Sequence, residues 1–343
     1  MLLGLIALVV VGFAGIIVYA FISDYRPKEK EIVSASGKVE MLNDSLKFSL
    51  VTWNIGYCGL DKEMDFFYDG GTKVFTPKAT CIHNLQAIRE FLKQFSSTDF
   101  ILLQEVDKDS KRSYHINEYD SIAKSLTGHH PSFAKNYDVF FVPVPLTTPM
   151  GKVISGLTTF SKYQSVSSIR YRFPGEYGFP KQLFMLDRCF LVNRYPLSNG
   201  KELLIINTHN EAFDPGPLRK AQMAYLRDFL LNEYHLGNYI ITGGVWNQTP
   251  PEFKPNYSID KADTSQMKVP KDYLPPDWKW LYDNRNPSER NVITAYQPST
   301  TTTNVFDFFL VSPNIEKLSV ECIQLNFEHS DHNPVKIEIK LQK

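Results

Sequence analysis

Tyr239-Ile240-Ile241-Thr242-Gly243-Gly244-Val245-Trp246-Asn247-Gln248-Thr249-Pro250 is the stretch around which the rest of the chain is read. Its β-favouring opening leads into paired glycines, then an indole and an amide, and Pro250 closes the turn. That pattern predicts a buried strand emptying into a tight loop, where the chain presents polar groups at the end of a sheet. Alone, a strand and a turn need carry no chemistry. The weight comes from other predicted strands that end the same way, in residues suited to a metal ion and a phosphate.

Upstream, Phe48 to Trp53 reads as a strand ending at Asn54, and Phe100 to Leu103 as a short buried strand ending at Gln104-Glu105. Leu203 to Asn207 ends at Thr208-His209-Asn210, and further strands are expected at Val139–Val144, Val153–Phe160 and Cys189–Asn193. Ala79–Phe95 carries Ile82, Leu85, Ile88, Leu92 and Phe95 on or near one face, which predicts a helix. Pro215–Leu231 predicts a second, with Pro217 in its first turn and Leu218, Ala221, Tyr225 and Phe229 in one stripe. Downstream, a loop-rich section runs from Pro251 to about Pro298. Val305–Val311 then reads as a strand carrying Asp307 amid bulky apolar residues, and Ser330-Asp331-His332 precedes a period-two strand through Val335, Ile337, Ile339 and Leu341. Many strands with few helices between them predict an α+β fold, two packed sheets with helices outside.

At the N terminus, Leu2 to Ile22 is an uninterrupted apolar run without a charge. A helix of that length reaches about 30 Å, the hydrocarbon thickness of a bilayer. The basic n-region and small-x-small cleavage site of a secretory signal are missing ahead of Asp24. Residues 1–23 are therefore read as one N-terminal transmembrane helix, a retained single-pass anchor. Residues 24–45 are read as a polar linker and residues 46–343 as a single globular domain. Arg26, Lys28 and Lys30 mix with Asp24, Glu29 and Glu31 after the anchor, so the side of the membrane that holds the domain stays open.

Lysine plus arginine, 37, balance aspartate plus glutamate, 37, and no basic block interrupts the chain. Such a chain lacks the electrostatic footprint usual for gripping long nucleic acid. Cys58, Cys81, Cys189 and Cys322 include no Cys-x-x-Cys pair, which speaks against a zinc knuckle or a disulfide-dense scaffold. Buried free thiols are expected, with a Cys58–Cys81 bridge as the alternative if the domain faces an oxidising compartment.

Each polar strand end has an ordinary explanation: Asn54 as a turn residue, Glu105 as a solvated acid, His209 as a satisfied polar group. Asp307 differs, because a carboxylate inside an apolar strand needs a partner. His332 is the expected one, the carboxylate fixing the imidazole's tautomer and raising its basicity. Taken in order, Thr52-Trp53-Asn54, Leu103-Gln104-Glu105, Asn207-Thr208-His209, Gly244-Val245-Trp246-Asn247, Phe306-Asp307-Phe308 and Ser330-Asp331-His332 resemble the motifs of the endonuclease/exonuclease/phosphatase superfamily. The likeness covers essentially everything after the anchor. It implies a four-layered α/β/β/α sandwich with its site in a cleft along one edge, on a fold shared by pancreatic-type deoxyribonucleases, abasic-site endonucleases, neutral sphingomyelinases and inositol-phosphate phosphatases.

The resemblance also implies roles. Glu105 would hold Mg²⁺, with Mn²⁺ as the alternative, Asn54 would support that ligand sphere, and Asp331 would contribute to it. Asn247 would donate to a phosphate oxygen, and His332, oriented by Asp307, would bind the phosphate and stabilise its developing charge. His209 would contact the same group. Asn210 beside it, and Arg290 in the loop-rich section, are expected as substrate-binding residues. Val245 departs from the pattern: the family's motif is Gly-Asp-x-Asn, and the missing aspartate orients and deprotonates the attacking water. Valine accepts neither a proton nor a hydrogen bond, and no acid between Tyr239 and Pro250 replaces it.

The function expected is a Mg²⁺-dependent phosphoesterase cleaving a phosphodiester or phosphomonoester by in-line attack of water, impaired at Val245. A non-catalytic, membrane-tethered phosphate-binding protein is the alternative, and a nuclease the second alternative. The anchor and neutral charge favour a lipid head group or small phosphoester over DNA, and no protein partner is inferred. The loop-rich section, with Trp278, Trp280, Tyr282 and Arg290, is where substrate selection is expected.

Overall fold

Along Lys47–Asn54, Phe48 and Leu50 join one buried apolar layer and Trp53 the opposite one. That two-residue period marks a strand covered on both faces. The computed structural model describes residues 2–37, 39–44, 46–214, 216–257 and 268–342. Pro215, at the expected start of a helix, positions 38 and 45 of the expected linker, residues 258–267 of the loop-rich section and Lys343 lie outside the described residues.

In chain order the elements are α1 (Leu2–Ser23), β1 (Lys30–Ala35), β2 (Lys47–Asn54), α2 (Lys78–Lys93), β3 (Phe100–Asp107), α3 (Glu118–Ala123), β4 (His130–Val142), β5 (Gly151–Ser161), β6 (Ser167–Arg172), β7 (Cys189–Pro196), β8 (Glu202–His209), α4 (Pro217–His235), β9 (Tyr239–Val245), β10 (Lys279–Leu281), β11 (Glu289–Arg290), β12 (Thr303–Asn304), β13 (Asp307–Val311), β14 (Ile315–Cys322) and β15 (Val335–Leu341). They form a seven-stranded sheet, β1-β6-β7-β8-β9-β13-β10, a six-stranded sheet, β14-β15-β2-β3-β5-β4, and a small β11-β12 ribbon. Both large sheets are mixed: β2 and β3 run parallel, as do β8 and β9, while the remaining pairs are antiparallel. α2 carries the chain from β2 to β3, and α4 from β8 to β9.

Three apolar layers hold these parts together. Between the sheets, Phe48, Leu50, Phe100 and Ile337 of the six-stranded sheet pack with Leu203, Ile205, Ile241 and Phe309 of the seven-stranded one. On the outer face of the six-stranded sheet, Trp53, Ile101 and Leu103 meet Leu85, Ile88 and Leu92 of α2 and Ile122 of α3. On the outer face of the other sheet, Ile206, Ile240, Trp246 and Phe308 meet Met223, Leu226 and Leu230 of α4. Helices outside two packed sheets is the architecture the strand count predicts.

Several strands carry no apolar signal of their own. β1 lies inside the expected linker and pairs with β6 at the edge of its sheet, and β14 is largely solvated along its middle. Such strands are defined by the backbone of a neighbour, so side-chain pattern does not reveal them. The expected anchor is a helix, α1, of 22 residues without a charged residue. Among the described residues no helix is long and apolar enough to cross a membrane, and the side chains of Leu2, Leu5, Ile6 and Val9 lie outside that description. All four cysteines are free and buried, so Cys58 and Cys81 are not bridged.

The Gly243-Gly244 pair answers a steric demand. Gly244 sits at φ +138°, and a Cβ there would lie 2.0 Å from the Thr208 carbonyl oxygen, in the parallel β8–β9 ladder. A Cβ on Gly243 would lie 2.3 Å from the Phe309 ring. Gly244→Ala is therefore expected to destabilise the fold by about 3 kcal/mol, read as a lower thermal midpoint. An unchanged midpoint would refute this account of the close strand approach.

Candidate active site

The carboxyl ends of the two parallel pairs, β2–β3 and β8–β9, meet at one edge of the two sheets, where open α/β sheets commonly place ligands. A polar clamp joins them: Gln104 Nε2 donates to Asn207 Oδ1 at 2.7 Å, and Asn207 Nδ2 donates to the Leu103 carbonyl at 3.1 Å. Beyond the clamp opens a cavity of about 620 Å³ lined by Asn54, Glu105, His209, Asn247, Asp331 and His332, among others. Six residues singled out along the chain are thus brought together by the crossing of the two sheets.

Backbone geometry aims two of them. Register shifts between Leu103 and Val106, and Glu105 adopts φ +54° there, so the bulge turns its carboxylate out of the strand's alternation. Asn247 adopts φ +52° just after β9, a conformation that asparagine tolerates. Its Nδ2 donates to the Asn210 carbonyl at 2.8 Å. Asn54 Nδ2 donates to Glu105 Oε1 at 3.0 Å, while its Oδ1 accepts from Gly56 N at 3.0 Å. With both ends engaged, Asn54 positions Glu105 through hydrogen bonding.

The expected Asp307–His332 pair forms: His332 Nδ1 lies 2.7 Å from Asp307 Oδ2, and both side chains are buried. Burial alone would depress the imidazole pKa. Asp307, Asp331 and Glu289 outweigh it and raise the pKa to about 10, so the ring is cationic at neutral pH. His209 is the opposite case, held well below its ordinary value by burial and by the positive charges of Arg188, His332 and Arg112. One imidazole is charged and the other neutral.

Val245 sits between His209 and Asp307. In the sheet register it is opposite His209 on one side and Asp307 on the other, so the three side chains share a row at the sheet's end. Val245 is 1% exposed. His209 Nδ1 and Asp307 Oδ1, polar atoms of its two neighbours, are buried without a hydrogen-bond partner. Buried polar atoms are normally paired, and both of these belong to residues in register with Val245.

The acids at the other wall crowd one another. Asp331 is raised to about 7 by burial, with Glu105 and Asp69 pushing it up and His332 and Arg290 opposing. Asp69 is raised to about 6 by burial and by Glu105. Among the described residues no three His, Cys, Asp or Glu side chains cluster closely enough to enclose a metal. Oxygen donors that repel one another but do not form a cage fit a hard cation that keeps part of its water shell.

Two expected substrate contacts are placed elsewhere. Asn210 is fully buried, its Oδ1 accepting from Thr208 Oγ1 at 2.6 Å and its Nδ2 pointing to Met223 Sδ. Arg290 donates to the carbonyls of Asn291, Thr294, Asp61 and Met64, tying loops together behind the site. Trp278, Trp280 and Tyr282 belong to the apolar layer around Trp246 and Phe308, away from the cavity. Trp280 lies on the edge strand β10, which pairs with β13, and Trp278 and Tyr282 flank that strand. Residues not anticipated also line the cavity: Arg112, paired with Asp107 and set 3.8 Å over the Tyr57 ring, Arg188, and Glu289, whose Oε2 accepts from Asn304 at 3.0 Å. None of them belongs to a short motif, and spacing alone carries no signal for them.

Comparison with known proteins gives the same picture. The sequence profile of the Endonuclease/Exonuclease/phosphatase family matches residues 51–332. An endonuclease/exonuclease/phosphatase from Beutenbergia cavernae is similar in structure, with TM-score 0.61 and 14% identity over 86% of this chain and 72% of that one. ANGEL2, a 2′,3′-cyclic phosphatase in complex with adenosine-2′,3′-vanadate, is similar at TM-score 0.57 and 16% identity, over 93% of this chain and 100% of that one. The human Nocturnin catalytic domain with bound sulfate is similar at TM-score 0.52 and 16% identity, over 89% of this chain and 97% of that one. No curated protein sequence matches the chain.

Proposed function

The chain belongs to the endonuclease/exonuclease/phosphatase family, and on that premise we propose that it is a phosphoesterase of low turnover, acting with a divalent cation, Mg²⁺ first, on a phosphodiester or phosphomonoester. The observation that carries this is the buried Asp307–His332 pair beside Glu105, Asn247 and Asp331 in one cavity. Glu105 and Asp331 would hold the cation, which supplies charge neutralisation at the phosphoryl group. Asp307 occupies Nδ1 of His332, which leaves the Nε2–H of the cationic ring as the donor to a phosphate oxygen. Asn247 has one amide hydrogen on the Asn210 carbonyl and a second to offer the substrate. His209, kept neutral, adds a contact without adding charge.

What the chain lacks is a proton acceptor at position 245, and Val245 is also the observation that favours the second reading, a phosphate-binding protein without turnover. The neutral net charge favours a small or lipid-linked phosphoester over long DNA. The uncharged α1 supports membrane association as part of the proposal. Assay of the full chain with Mg²⁺ on bis-p-nitrophenyl phosphate and on plasmid DNA tests these readings. Phosphoester turnover is expected, and Glu105→Ala is expected to lower it by about 10²-fold or more. Binding of phosphate with no turnover on any ester would establish the second reading instead, and dominant, salt-sensitive DNA cleavage would establish a nuclease.

A further inference from the structure

The cavity has a second end with different chemistry. Beyond Glu105 and His332 its lining includes Val142, Met150, Phe184, Leu186 and Val292, with Lys181, Arg188 and Arg219 as charged residues of the same wall. The apolar residues belong to a cluster of their own, built from the segment around Tyr57 to Val74 and the ends of β4 and β5 nearest their connecting turn. At about 620 Å³ the whole space far exceeds a phosphate group and falls in the range of pockets that take a ligand with a sizeable apolar part. A chamber walled by such residues favours a hydrocarbon group over water.

The approach to that end is apolar as well. The β4–β5 turn carries Val144, 39% exposed and part of the cavity wall, and Leu146, 82% exposed. α1 lies along β4: the Tyr19 ring is 4.3 Å from that of Phe140, and Asp24 and Asp138 line one groove between them. Passing from Asp24 to Tyr19 on α1 therefore follows Asp138 to Phe140 on β4, toward the turn. The N-terminal half of the helix, with Leu3, Leu8 and Val11 exposed, continues in that direction. Adjacent exposed apolar surface of this kind marks a membrane or a partner. A protein partner or second copy would cover the turn and leave the chamber unfilled, whereas an amphiphile fills both ends.

Resting on the phosphoesterase reading above, we propose that this site takes an amphiphilic phosphoester from a lipid surface, its phosphate beside Glu105 and His332 and its hydrocarbon part in the Val142–Met150–Val292 chamber. The test compares ethyl p-nitrophenyl phosphate in solution with dodecyl p-nitrophenyl phosphate in phosphatidylcholine vesicles. Both are given to the full chain and to its Val245→Asp variant, each with and without Leu146→Asp or Phe140→Asp. The dodecyl ester is expected to be turned over with kcat/KM about tenfold or more above the ethyl ester. Either substitution is expected to lower the dodecyl rate about fivefold and to leave the ethyl rate within about twofold. Equal kcat/KM for the two esters, or equal loss on both, overturns the proposal and leaves the phosphoesterase reading standing. Self-association abolished by Leu146→Asp, with no sedimentation on vesicles, overturns it in favour of a second copy. If neither ester is turned over, the phosphoesterase reading falls and this proposal with it.

Discussion

Val245→Asp is expected to raise phosphodiester turnover by about 10²-fold or more, the usual worth of a positioned general base. The geometry supports this because Val245 ends β9 in the row between His209 and Asp307, at the rim where Asn247 follows it. A carboxylate there would stand in register with His209, whose Nδ1 is buried without a hydrogen-bond partner. The same substitution buries an acid beside Asp307, so the variant is expected to lose stability by about 1–3 kcal/mol. Like charge and burial both raise an acid's pKa, so its activity should increase with pH through the neutral range. Val245→Asn, which matches the shape and accepts hydrogen bonds but takes no proton, is the control and should recover little. The measurement is kcat/KM on bis-p-nitrophenyl phosphate with Mg²⁺ for the three proteins. Equal values for valine and aspartate would remove position 245 from the chemistry.

Asp307→Ala is expected to destabilise the fold by about 3–5 kcal/mol, the typical result of leaving one partner of a buried pair without the other. The pH dependence separates this from simple loss of packing. The folded pKa of His332 is raised to about 10, above its unfolded value near 6.5. Its contribution is therefore fully present below a pH of about 6.5 and is lost as pH rises through about 10. The gap between parent and variant should be widest near pH 6 and narrow toward pH 10. Asp331 and Glu289, raised to about 7 and about 8, also make the fold weaker as pH rises, and burial, the main cause for each, acts in both proteins. Urea titrations at the two ends of the range provide the check, and a constant gap would sink the ion-pair account.

Asn54, Glu105, His209, Asn247, Asp307, Asp331 and His332 are legible in the sequence because each ends or enters a strand whose apolar pattern is strong. Pattern locates the strand, and a polar residue at its end projects to the sheet's edge. Asn210 and Arg290 depart from expectation for a related reason. Both lie near the site along the chain, but the direction of a side chain depends on what packs around it: Met223 behind Asn210, and four carbonyls around Arg290. The tryptophans of the loop-rich section, expected at the cavity, instead fill the layer around Trp246 and Phe308.

By itself the order of residues determined the strands that alternate strongly, the helices that cover them, the family, and the absence of an acid at position 245. These depend on local periodicity and on side-chain identity, which neighbours in space do not alter. Only the tertiary structure decided that β1, β6 and β14 join the sheets, that Glu105 turns on a bulge, that Asn54 holds Glu105, and that an apolar chamber adjoins the site. Each of those depends on contacts between segments far apart in the chain, where the free energy of pairing and burial, and not local preference, selects the conformation.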